Sequence, residues 1–223
     1  MNVIDRLGAL AGAGAAVLIV SYEEHNLLGG ADPALPSSEV ADTLVAGSAD
    51  GGARFAAQLG LIGVVLLVIF AARLHGALSD AAPRAAWLPI TVVAGAILLG
   101  GVVLIEIGFT YAATELADYG DDTAAARVFA LWGWNIAGIF APGLGALVAG
   151  TTAVVLTTKP FPEWYRWVCV LLLLGMTVIW GLGAPGFATV FGFLWMVLTS
   201  LMLTFRRTPA ALPIVEVSVP AAV

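Results

Sequence analysis

The sequence predicts an all-α, polytopic integral membrane protein of six transmembrane helices with both termini cytoplasmic. Three observations predict it. Of 223 residues, 61% are hydrophobic and only 11% charged, against about 25% charged in an ordinary soluble domain, so polar residues are too few to coat a soluble globule. The apolar residues fall in blocks of about 20, the length that crosses a hydrocarbon core of roughly 30 Å. The basic residues alternate from one join to the next.

The six expected spans cover residues 7–22, 54–74, 87–113, 127–152, 164–181 and 185–205, forming a single domain over 1–205 followed by a tail over 206–223. The first follows "MNVIDR", a charged start resembling a signal peptide. No small-x-small cleavage pattern follows at the right distance, so it is read as a retained helix. Spans two to six are runs of Ala, Val, Leu, Ile, Gly and Phe, separated by polar or Pro/Gly-rich joins. In span four, "FAPGLG" contains Pro142, which removes a backbone hydrogen bond. A kink is therefore expected near Gly138 to Gly143, as either a packing feature or a cavity lining. Small residues at four-residue spacing, Gly8 and Gly12 in span one and Ala146 and Gly150 in span four, fit close helix packing.

Orientation follows from the arginines and the lysine. Arg6, Arg73, Arg84, Lys159, Arg166, Arg206 and Arg207 fall on one side, and only Arg54 and Arg127 on the other. Cytoplasmic loops carry the excess of positive charge, which places the first group inside a cytoplasmic (inner) membrane. The outer loops are then 23–53 and 114–126, both acidic, and "GLGAPG" is a tight outer turn. Within the first, "SSEVADTLVAG" has a serine start and apolar Val40, Leu44 and Val45 at helical spacing, which predicts a short surface helix. Trp87, Trp164 and Trp167 fall at the inner interface, where aromatic rings anchor helix ends. The tail "TPAALPIVEVSVPAAV" has three prolines and no helical stripe, so an extended tail is expected.

Several function classes drop out. A net charge of −6 with no basic patch argues against nucleic-acid partners. No Gly-Lys-Ser/Thr phosphate loop is present. The only lysine, Lys159, is in an inner loop, which removes a retinal Schiff base within the membrane. His25 and His75 belong to opposite boundaries, so a bis-histidine haem has no pair of ligands. "YEEHN" is not the zinc helix HExxH. No cofactor, metal site or catalytic residue is assigned, and Cys169 is read as a small buried apolar residue.

One residue breaks the pattern. In "LLGGVVLIEIGFTYAATEL", Glu106 places a carboxylate inside an apolar span. Insertion scales put the cost of such a group at about 2.5–3.5 kcal/mol near the helix centre, so it should face protein or water. At 1.5 Å rise per residue, Glu106 and Gln58 each lie about 9 Å outward of their span midpoints, and Asn135 about 7 Å. Thr110 follows Glu106 by four residues on the same helix face. Tyr22, Glu23, Glu24 and His25 close span one just above and form the expected outer mouth. The expectation is an outward-facing polar pocket of Glu106, Gln58, Asn135 and Thr110, with Pro142 and Gly143 at the helix kink. It would bind or transport a small ligand, a lipid headgroup or a proton. The rival is an accessory or assembly subunit that docks a membrane-protein partner, with Glu106 as structural polar glue. An enzyme acting on lipid is a weaker third reading. Beyond those, the lipid bilayer is the expected partner.

Overall fold

The structure is a computed structural model that describes residues 3–25, 35–49, 51–119 and 123–205. Within these residues the chain forms eight α-helices and one 3-10 turn, with no strand. In chain order the helices are α1 (Val3–His25), α2 (Ser37–Ala49), α3 (Gly52–Ala81), α4 (Trp87–Tyr119), α5 (Thr123–Ile136), α6 (Phe140–Thr158), α7 (Glu163–Gly181) and α8 (Pro185–Phe205). The expected tail over 206–223 lies outside the described residues.

Local chemistry sets several boundaries. After α7, the Ala184 amide donates to the Ile179 carbonyl and the Gly183 amide to that of Trp180, with Gly183 at φ 79°. This paired closure needs a left-handed residue, which glycine supplies without a Cβ clash. Pro185 then opens α8 at the first helical position, where its missing N–H costs nothing. Lys159, at φ 53°, ends α6 in the same left-handed conformation, and Pro160 prevents the helix from continuing.

Six helices are long and apolar enough to cross a membrane: α1, α3, α4, α6, α7 and α8. They pack in an antiparallel ring in which α1 lies on α3 and α8, α4 on α3 and α6, and α7 on α6 and α8. Glycines fix the crossings. A Cβ on Gly143 of α6 would stand 2.8 Å from the Leu99 amide nitrogen of α4, and one on Gly95 would stand 2.7 Å from the Gly143 carbonyl oxygen. Gly12 of α1 likewise admits Phe70 of α3 and Ser200 of α8. In lipid no water is expelled when two apolar helices meet, so such close backbone approach is what holds them together. Phe70 and Trp195 meet edge-on at 6.3 Å in the centre of the ring. Outward-facing residues are apolar too: Val65, Ile97, Leu171 and Phe187 are each more than half exposed. A buried core inside an apolar exterior is the inverse of a soluble surface, and six helices long and apolar enough to span a bilayer suggest a helical membrane protein.

The two ends of the ring differ. At the end bearing Arg73, Arg84, Lys159 and Arg166, Arg73 pairs with Asp5 at 3.6 Å and Arg166 with Glu163 at 2.6 Å. Trp87, Trp164 and Trp167 are exposed there, and the Arg166 guanidinium lies 5.4 Å over the Trp167 ring. At the opposite, acidic end, α2 and α5 cap the ring. Val40 and Leu44 of α2 are fully buried against Ala113 and Ala126, with Phe109 tilted against Phe129 at 5.7 Å. The predicted surface helix is thus a packed lid segment on α4 and α5, with Val40 and Leu44 inward and Val45 half-buried.

One predicted span is different. Residues 127–152 are not one kinked helix. Helix α5 ends at Ile136, a 3-10 turn covers Ala137–Ile139, and the crossing helix begins at Phe140 and runs to Thr158. Pro142 is the third residue of α6, within the first turn, where amides have no intrahelical acceptor. Pro142 has no N–H to offer the Gly138 carbonyl, and the interruption expected near Gly138 takes the form of this 3-10 turn. Pro142 is exposed and Gly143 is buried on Leu99.

Candidate functional site

Glu106 is 2% exposed. It belongs to α4, one helix away from the chain end of α1 that it meets. The route between them runs past Gly60 of α3: a Cβ there would come within 2.9 Å of Ile107 Cδ1 and 3.2 Å of Tyr22 Cγ. The absent side chain opens a gap in α3 across which α1 and α4 approach each other.

Two contacts fill that gap. The Tyr22 phenol, 1% exposed, bonds the Thr110 hydroxyl. Thr110 Oγ1 in turn donates to the Glu106 backbone carbonyl at 3.0 Å, which leaves its oxygen to accept from Tyr22. Beside them the Glu23 carboxyl comes near enough to the Glu106 carboxyl for the two to interact. Glu23 Oε1 is buried and takes no bond from any described donor. A carboxylate has no hydrogen to give, so the Glu23–Glu106 contact is a hydrogen bond only when one of the two carries a proton. With both ionised, two like charges face each other in an apolar slab, and a bound cation is needed to offset them.

The structure thus brings together Glu106, Thr110, Tyr22 and Glu23. It does not bring Gln58 to them. Gln58 is exposed, one turn inside the Arg54 boundary of α3. Two residues from Gly60 at 100° per residue, it sits about 200° around the helix from the face that meets α1 and α4. The amide expected beside Glu106 is replaced by a second carboxyl and a phenol. The side chains of Asn135, Glu24 and His25 lie outside the described residues. Thr189 is buried at 9% on α8, and Thr177 is exposed.

The sequence places Glu23 at the mouth, and spacing along α1 alone does not bring it to Glu106. A signal for it exists: Ala56, Gly60 and Gly63 form a small-residue stripe on α3, which marks where neighbouring helices come close. A second buried polar chain lies towards the basic end. There the Tyr165 hydroxyl meets Thr199 Oγ1 at 2.6 Å, and Thr199 donates to the Trp195 carbonyl at 2.7 Å. That chain ends on a backbone carbonyl and contains no acid, so it ties α7 to α8 without offering an exchangeable charge. Among the described residues no group of three or more His, Cys, Asp or Glu side chains converges on a metal-sized site.

Against known proteins, no family model, no curated protein and no solved structure matches the chain. The class is therefore defined by its own fold: an all-helical chain with six helices long and apolar enough to span a membrane and a buried glutamate, Glu106, on one of them.

Proposed function

We propose that this protein is a multi-pass protein of a cytoplasmic membrane, termini inside, whose Glu106–Glu23 pair binds and releases a proton at the extracytoplasmic end. The carrying observation is the contact between two carboxyls from α1 and α4, one of them 2% exposed. The charge asymmetry supports the orientation, because the basic loops sit at the end remote from the pair. Glu106 is the inner member, and Glu23, half-buried at the end of α1, is the member nearer the aqueous phase. Transport is one use of such a pair.

The test is a proton titration of the purified chain in lipid nanodiscs, wild type against Glu106→Gln. The proposal predicts a difference of about one bound proton per chain across the titration, with the thermal midpoint nearly unchanged. Superimposable curves contradict it.

A second reading has its own observation. The Tyr22–Thr110 bond ends on the backbone carbonyl of Glu106, which is how a structural staple between α1 and α4 would end. As glue in a subunit of a larger complex, Glu106 would matter to stability alone. Glu106→Gln would then lower the thermal midpoint without altering proton binding.

A further inference from the structure

Glu23 has a second side. A groove of about 550 Å³ lies between α1 and α8 in the acidic half, open sideways to the apolar exterior. Val17, Val20, Phe193 and Leu194 form its walls. It extends from Ala16 and Val197, near mid-ring, to Glu23 and Thr189, a run of about 10 Å along α1 and about 12 Å along α8.

Its polarity is one-directional. The polar lining residues are Ser21, Glu23 and Thr189, all at the acidic end, and the remainder is apolar. Thr189 Oγ1 already donates to the Gly186 carbonyl at 2.6 Å, which leaves it an acceptor. Glu23 Oε1 is buried and takes no bond from a described donor. No Lys, Arg or His is among the described lining residues. The groove therefore has an apolar body that suits an alkyl chain and a head that offers acceptors and negative charge. An anionic or phosphate head would meet Glu23 with like charge. An ammonium head supplies donors to these acceptors and the opposite sign to the Glu23 carboxylate.

We infer that the α1–α8 groove binds a long-chain amphiphile with an ammonium head, which enters from the bilayer and seats its head on Glu23. This rests on the reading of Glu23 and Glu106 as a pair sharing one proton, and it names the substrate class of that site. The exchange balances. The singly protonated pair, net charge minus one, takes up one cation and releases one proton, leaving two carboxylates with one ammonium. No bond other than O–H breaks. In this exchange the amphiphile and the shared proton compete for the same two carboxylates, so that uptake of one is coupled to release of the other.

The test uses the full chain in phosphatidylcholine nanodiscs and three probes with the same tail: dodecylammonium, dodecanol and dodecyl sulfate. Calorimetry in two buffers of different ionisation enthalpy at neutral pH reads affinity and proton release together, with empty nanodiscs as baseline. The expected result is saturable binding of dodecylammonium, at least tenfold tighter than either other probe, with proton release that scales with occupancy. Glu23→Gln weakens it at least tenfold. Leu194→Trp, at a half-exposed wall position, fills the groove and does the same while the chain keeps its thermal midpoint. Equal binding of the three probes, full affinity in Leu194→Trp, or binding without proton release overturns the inference. The ligand-free titration of Glu106→Gln is a separate measurement. A proton found there with no groove binding leaves the carboxyl pair standing alone, and its absence there removes the pair whatever the groove binds.

Discussion

Glu106 is tolerated in an apolar helix because its surroundings supply what water would. Thr110 engages its carbonyl at 3.0 Å, and the carboxyl meets that of Glu23. Gly60 makes this possible by having no side chain. Gly60→Val is predicted to push Tyr22 and Ile107 apart and to cost about 1–3 kcal/mol, as overpacking does. Thermal unfolding in detergent measures the cost. The same variant should lose the proton that distinguishes wild type from Glu106→Gln, because α1 can no longer reach α4. At this scale the sequence was half legible. Depth follows from a fixed rise per residue, so the layer of polar residues at the acidic half could be read directly. Direction around the axis does not follow from the hydropathy of an apolar helix, since both lipid and protein faces are apolar. Gln58 illustrates the difficulty: it has the right height and the wrong side, and only the small residues Ala56, Gly60 and Gly63 mark the interior face.

Between helices, association depends on where backbones touch. The α4–α6 crossing is the closest, with Gly95 and Gly143 set against the opposing main chain. Gly143→Val should destabilise the protein by about 1–3 kcal/mol. Gly145→Val carries the same change in helix propensity, but nothing lies within 4 Å of its Cβ position, so it should cost much less. Comparing the two thermal midpoints isolates the crossing from the propensity, and equal losses would contradict it. Five of the six long apolar helices were legible from run length and their punctuating residues. The fourth was legible only in part, because the hydrophobic run through residues 127–152 does not tell a kink within one helix from a break between two. The 3-10 turn at Ala137–Ile139 separates a capping helix from a crossing one, and Pro142 marks its place without telling its form.

For the molecule as a whole, charge divides what hydropathy cannot. The apolar girdle is continuous, and the basic end with its exposed tryptophans is distinct from the end capped by α2 and α5. The proposed orientation places α2 outside. Ser38→Cys in α2 should then react with a membrane-impermeant thiol reagent on intact expressing cells, and Arg84→Cys between α3 and α4 only after permeabilisation. Native Cys169 is fully buried and does not compete. The reverse labelling pattern would turn the protein over and put the carboxyl pair at the inner face.

The central claim is that two carboxyls hold one positive charge between them within the helix ring. Infrared spectroscopy of the chain in lipid, at neutral pH and without added cations other than sodium, reads it most directly through the C=O stretch of a protonated carboxyl. The account predicts that band in the wild type, its shift on hydrogen–deuterium exchange, and its loss in both Glu106→Gln and Glu23→Gln. A wild-type spectrum with only ionised carboxylates, or a band that survives both substitutions, contradicts it.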